Sequence, residues 1–157
     1  MIHIKFRIRT AILGLLFLSF NISAEELDMN LISKVETQTR DQCQKSIDDD
    51  TLEFKKCIQN LVNEFSKSKA VNIKSSQIGI YYYAWLASVV AAKNGISNAE
   101  ETAEYFLPKF RVIQKDFQMS DKDLCNTISG DCLSRNARMN QMQLKLEKDK
   151  KLIKTKS

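Results

Sequence analysis

The chain is poor in the residues that make tight turns. Its 157 residues include four glycines and one proline. Sheets built from hairpins need residues with positive φ at their turns, and glycine is the usual supplier. Long stretches rich in Leu, Ala, Glu, Lys and Gln favour helix instead. We therefore expect an all-α protein, a small bundle of about five helices. Pro108 lies inside one helical pattern and predicts a kink or a break near Leu107.

Histidine is almost absent, and the single one, His3, lies in a segment with the features of a secretory signal peptide. A short basic stretch precedes an apolar run at 11–20 that is too short to span a bilayer. The small residue Ala24 then stands where signal peptidase prefers one. These features predict cleavage after Ala24 and a periplasmic or secreted mature chain of residues 25–157.

That mature chain has no histidine. Catalytic triads, Cys-His nucleophiles and His-ligated metal sites are therefore excluded within one chain. Carboxylate, lysine or cysteine chemistry remains open in principle, and Glu100, Glu101 and Glu104 are the acidic cluster to consider. These residues crowd the first turn of a predicted helix, where the helix dipole favours acidic side chains, and no second acidic cluster can be placed opposite them. We assign no catalytic, cofactor-binding or metal-binding residue, and we expect a protein that is not an enzyme.

The basic excess of the precursor is concentrated near the two ends of the chain. Without its first 24 residues the chain has 21 basic and 19 acidic residues, and residues 145–157 alone contain six lysines against two acidic residues. The body, residues 25–144, is then slightly acidic. A nucleic-acid partner is not expected from this distribution. The pattern divides the mature chain into a helical domain, 25–144, and a lysine-rich C-terminal tail, 145–157.

The longest uncharged run, residues 75–92, has two interpretations. It is long enough for a membrane span, but its serines and three tyrosines leave too few apolar positions, so a helix buried inside the bundle is preferred. Its large aromatic side chains have polar tips and are candidates for a partner groove, although core packing is the more common role for each one. The candidate groove residues are Tyr81, Tyr82, Tyr83 and Trp85.

Four cysteines allow three disulfide pairings, and sequence alone does not choose between them. Cys43 and Cys57 are equidistant from Asp50, which together with Glu53 matches the pattern of a helix start. Residues equidistant from the turn of an antiparallel helix hairpin lie side by side, and Cys125 and Cys132 similarly bracket a turn. We therefore predict the pairs Cys43–Cys57 and Cys125–Cys132 as structural staples. Neither pair has the C-x-x-C spacing of a redox-active site, and zinc binding is disfavoured for exported thiols.

No motif selects a biochemical role. The leading hypothesis is a non-catalytic exported protein without a cofactor that binds another periplasmic or envelope protein. The alternative is peripheral contact with an anionic envelope surface through an amphipathic C-terminal helix, on which Met139, Met142, Leu146 and Ile153 share one face. The candidate surface-binding residues of the tail are Lys145, Lys148, Lys150, Lys151, Lys154 and Lys156.

Overall fold

A computed structural model describes residues 27–68, 72–123 and 132–154. Its helices are α1 (Met29–Asp49), α2 (Thr51–Lys67), α3 (Ile73–Lys93), α4 (Ala99–Asp116) and α5 (Cys132–Lys154). No strand occurs in these three ranges. The predicted all-α bundle is therefore confirmed. The predicted signal peptide, residues 1–24, lies outside the described residues.

Polar side chains fix the starts of the first three helices. Asp28, Asp50 and Asn72 each have extended backbone angles and accept a hydrogen bond from a backbone N–H two or three residues further on. Such caps satisfy N–H groups that have no partner inside the helix. Asp50 ends α1 and caps α2, so a single residue connects the two helices. The helix start predicted at Asp50 is confirmed.

Helix α3 lies at the centre of the bundle, and α1, α2 and α4 pack against it. Four of its side chains, Ile78, Ile80, Tyr82 and Trp85, are at most 1% exposed. Burying a large apolar side chain contributes about 1.5–3 kcal/mol, so α3 is the main source of core stability. The uncharged run 75–92 is thus a core element of the bundle. Among the described residues, the structure contains no helix with the length and apolar character needed to cross a membrane.

The crossing of α1 and α3 depends on a glycine. A Cβ atom built on Gly79 would lie 2.6 Å from the carbonyl oxygen of Ile32 and 3.2 Å from the backbone nitrogen of Glu36. Both contacts are with the backbone of α1, which cannot rotate away as a side chain would. The missing side chain of Gly79 therefore lets the two helices approach closely.

The hairpin of α1 and α2 is cross-linked as predicted. Cys43 and Cys57 form a disulfide, with their Cα atoms 5.9 Å apart. Cys43 is fully buried, so the bond joins the inner faces of the two helices. Cys125 and the side chain of Cys132 lie outside the described residues, and that pairing stays a prediction.

Helix α4 contains Pro108 without a break. It runs from Ala99 to Asp116 as one element, and the break considered near Leu107 does not occur. Proline removes one helical hydrogen bond, here the bond to the carbonyl of Glu104. The buried side chains of Phe106 and Phe110, on either side of the proline, anchor both halves of α4 in the core and compensate for this loss.

Candidate functional site

A groove of about 460 Å³ lies between α1 and α3. One wall is a row of polar side chains from α1: Glu36, Arg40, Gln44 and Asp48. These residues follow each other at intervals of four, so they lie on one face of the helix. From first to last they span twelve residues, or about 18 Å at the usual rise of an α-helix. The groove is therefore about three helical turns long.

The charged groups of this wall do not cancel. Arg40 is flanked by Glu36 one turn away, and its Nε lies 4.0 Å from a carboxylate oxygen of the neighbouring Asp41. Asp48 accepts a long hydrogen bond of 3.5 Å from the neutral side chain of Gln44. The wall thus combines one cation with two carboxylates, and its net charge is negative.

The floor of the groove comes from α3 and is apolar. Leu86 is half-buried and Val90, one turn later, is 47% exposed. Ala87 and Ala91 lie beside them, and these small side chains leave the space that forms the groove. Val90 thus marks a part of the central helix that the described helices leave exposed.

Tyr83 on α3 connects the floor of the groove to the α1 wall. Its hydroxyl donates a hydrogen bond to the side-chain oxygen of Gln44, and its ring packs edge-on against Phe54 with centroids 6.5 Å apart. Burial raises the pKa of Tyr83 far above its usual value. The phenol therefore keeps its proton at neutral pH, and it acts as a fixed hydrogen-bond donor rather than as an acid or a nucleophile.

The four aromatic residues predicted to line a groove lie on different sides of α3. Tyr82 and Trp85 are fully buried and contact each other, with centroids 6.1 Å apart. Tyr81 is half-buried and faces Phe106 on another side of the helix, with centroids 6.3 Å apart. Successive residues of a helix point about 100° apart, so adjacent tyrosines cannot share one groove. Of the four candidates only Tyr83 lines the groove between α1 and α3; Tyr82 and Trp85 belong to the core.

Most of the residues that form this groove were not among the candidates predicted from the sequence. The polar row on α1 had a detectable signal, because four polar residues recur at intervals of four. The floor on α3 had a weaker signal in the sequence. Because α3 is apolar nearly all round, its sequence does not indicate which face lacks a covering helix. Leu86 and Val90 are the functional candidates that only the structure identifies.

The C-terminal helix is partly packed on the body. Met139 is fully buried and Met142 is 8% exposed, and both belong to the hydrophobic core. Leu146 is partly buried against the same core. Three of the four apolar residues predicted to share a face are thus already in contact with the bundle. Ile153, the fourth, is 69% exposed.

Lys145 is paired with acidic side chains of α4, and its own side chain is 53% exposed. Its ammonium donates hydrogen bonds to Glu104, at 2.6 Å, and to Glu100, at 3.3 Å, and these bonds raise its pKa. The first residue of the predicted tail therefore ties α5 to the start of α4, and the acidic cluster on α4 is its partner. The next four candidate lysines, Lys148, Lys150, Lys151 and Lys154, lie in exposed turns of α5. Lys156 lies outside the described residues.

A second polar cluster joins α5 to α4 at Asn140, ahead of Lys145 along the helix. Arg111 on α4 donates to Asp121 at 2.8 Å and to Asn140 on α5 at 2.7 Å. Gln114 also donates to Asp121, at 2.9 Å. Desolvation raises the pKa of Asp121, but the hydrogen bonds from Gln114 and Arg111 and the charge of Arg111 outweigh it, and the pKa is lowered. Because these four side chains are joined by hydrogen bonds, we interpret the cluster as a structural tie between α4 and α5.

The described residues include no group of three histidine, cysteine or acidic side chains placed to hold a metal ion. The groove between α1 and α3 has an apolar floor, a charged wall on α1 and a tyrosine hydroxyl bonded to Gln44. Comparison with known proteins found no matching family model, no matching curated protein and no matching solved structure. The geometry of this groove is therefore the basis on which a function is inferred.

Proposed function

We propose that this chain is an exported, non-catalytic helical protein that binds another exported or envelope protein through the groove between α1 and α3. The observation that carries the proposal is the exposed apolar floor formed by Leu86 and Val90 on the central helix. A helix that is apolar nearly all round needs cover on every side. Helices α1, α2 and α4 pack against α3, yet Val90 stays about half exposed, so a partner protein completes the cover.

The export part of the proposal has two supports. The N-terminal segment has the basic stretch, the short apolar run and the small residue Ala24 of a secretory signal. The Cys43–Cys57 disulfide is of the kind that persists in oxidising compartments. A mature N-terminus at Glu25 on protein released by osmotic shock is the expected result; an unprocessed N-terminus on protein in the cytosolic fraction would refute export.

Crosslinking from the groove tests the binding role. A photoreactive amino acid is placed at Val90 and, as a matched control, at Val112, an exposed valine on α4 that does not line the groove. We expect a discrete adduct with one exported or envelope protein from position 90 and none from position 112. The same adducts from both positions, or none from either, would contradict the proposal.

Peripheral binding to an anionic envelope surface is the second candidate function. Its support is the last part of α5, where Ile153 is 69% exposed and Lys148 and Lys150 are exposed beside it. An apolar residue among lysines is typical of helices that lie on anionic membranes. Sedimentation with anionic vesicles at low salt is the test, with a chain truncated after Glu147 as the control. Equal binding of the two chains would reject this role.

A further inference from the structure

The charge pattern of the groove indicates what kind of segment fits it. We propose that the occupant is a basic amphipathic helix of the partner protein, about three turns long, with a cationic residue near each end of its buried face. This inference rests on the proposed function, because it describes the partner of the same groove.

The length follows from the α1 wall. Glu36 and Asp48 mark its two ends and are twelve residues apart on one helix, or about 18 Å. A helix lying along the groove places residues about 11 positions apart on the same face, about 16 Å from each other. Two cationic side chains at that spacing reach both carboxylates at once.

The charge follows from the partners that the wall residues already have. The cation Arg40 lies between the two carboxylates of the wall, and a carboxylate oxygen of Asp41 lies 4.0 Å from its Nε, so the net charge of this face stays negative. Glu36 and Asp48 lie at opposite ends of the groove, one towards the middle of α1 and one at its last turn. An occupant with lysine or arginine at both ends is therefore attracted, and one with acidic ends is repelled.

The apolar contact follows from the floor. Leu86 and Val90 are one turn apart on α3, with Ala87 and Ala91 beside them. Side chains at i and i+3 or i+4 of a docked helix meet such a pair, and the alanines let its backbone approach. The occupant thus has two apolar residues between its two cationic ones. Tyr83 and Gln44 bond to each other between the ends, so this pair adds no charge to the middle of the wall.

A designed peptide tests this inference on the mature chain. The probe is an alanine-rich, fluorescently labelled peptide of about 15 residues, with two leucines one turn apart and two lysines about 11 positions apart. Its matched control has glutamine in place of both lysines. Two exposed ion pairs are each worth about 0.2–1 kcal/mol, so the lysine peptide should bind about 2- to 30-fold more tightly at low salt. That preference should shrink in 1 M salt, where the screening length is about 3 Å.

Protein variants identify the site. The double variant Glu36→Gln and Asp48→Asn should abolish the preference for lysine while leaving binding of the glutamine peptide unchanged. Val90→Lys should weaken both peptides at least about tenfold, since it places a charge on the apolar floor. Val112→Lys, an equally exposed change on α4, should alter neither. Because both valines are about half exposed or more, these variants are expected to fold, and circular dichroism checks that they do.

The outcomes separate the inference from the function it rests on. If both peptides bind equally and Val90→Lys still abolishes binding, the groove is a binding site but its preference for a basic helix is refuted. If neither peptide binds, or if binding survives Val90→Lys, the groove is not the binding site and both proposals fail. If the unmodified chain is a dimer that Val90→Lys converts to a monomer, the occupant is a second copy, and the partner helix proposed here is overturned.

Discussion

The close crossing of α1 and α3 predicts that Gly79→Ala destabilises the fold. The added methyl group would lie 2.6 Å from the carbonyl oxygen of Ile32, whereas ordinary contacts begin at 3.4 Å. The two helices would therefore have to separate by up to about 0.8 Å at this point. A gap of that size forfeits roughly a quarter to a half of the dispersion energy of the contacts on either side.

The magnitude is the difference of two opposing effects. Overpacking a tight interface costs about 1–3 kcal/mol. Replacing glycine by alanine inside a helix gains about 0.5–1 kcal/mol, because it reduces the backbone freedom that folding removes. The net expectation is a loss of about 1–2 kcal/mol in the free energy of unfolding, since the obstructing atoms are backbone and cannot move aside. At about 4 °C for each kcal/mol in a chain of this size, the melting temperature should fall by about 4–8 °C.

Thermal and urea unfolding of the mature chain, followed by circular dichroism, measure this effect. Gly95→Ala is the comparison, because no atom lies within 4 Å of a Cβ at that position and only its positive φ of 80° opposes the change. It should cost about 1 kcal/mol through backbone strain alone and leave peptide binding in the groove unchanged. Gly79→Ala should also weaken peptide binding, because it moves the α1 wall away from the α3 floor. A melting temperature that rises by a few degrees would refute the close approach.

Three further results are expected. Replacing Cys43 and Cys57 together by alanine should lower the free energy of unfolding by about 3 kcal/mol in the chain-entropy model. Urea unfolding of the variant and the wild type measures this difference, and under reducing conditions the two proteins should unfold at the same urea concentration. Asp121 has a lowered pKa in the folded state, so its contribution to stability is present above its ordinary value of 3.8 and is lost as the pH falls through the lowered value. Asp121→Asn should therefore lose less stability between pH 6 and pH 3 than the wild type does; an identical pH profile would mean that Asp121 is not tied to Arg111 in solution. Truncation after Glu147 should leave the melting temperature within about 2 °C, whereas truncation after Leu144 should lower it further, since it removes Lys145 and Leu146. Equal melting temperatures of the two truncated chains would contradict the packing of α5 on α4.

Local patterns predicted well where the responsible residues are close in sequence. Asp50 starts α2 because its side chain caps N–H groups only two or three residues away. Cys43 and Cys57 pair because a single connecting residue makes α1 and α2 antiparallel neighbours, so equal distances along the chain become contact in space. Neither inference needed the rest of the fold.

The candidate groove could not be predicted in the same way. Tyr81, Tyr82, Tyr83 and Trp85 were identified as a group because they are aromatic and adjacent, but helical geometry sends them to three sides of α3. The side of α3 that stays exposed depends on where α1, α2 and α4 pack. The sequence of an evenly apolar helix does not indicate that side. The residue that best marks the open side, Val90, has no distinguishing feature in the sequence.

The C-terminal helix α5 likewise combines a feature that the sequence predicted with contacts that it did not predict. Its sequence predicted a last helix that continues into the lysine tail, and α5 extends to Lys154. The sequence did not determine what its apolar face contacts. Met139 and Met142 lie in the core, and polar bonds between residues 29 and 41 positions apart in the chain join α5 to α4 beside them.

Composition and short-range spacing were sufficient to predict the all-α class, the start of α2 and the Cys43–Cys57 bond. The packed fold was needed to learn that Trp85 is buried, that Lys145 bonds to α4 and that Val90 lies exposed on the floor of a groove. Helix formation depends on neighbouring residues, whereas the exposure of a side chain depends on which distant helices pack over it.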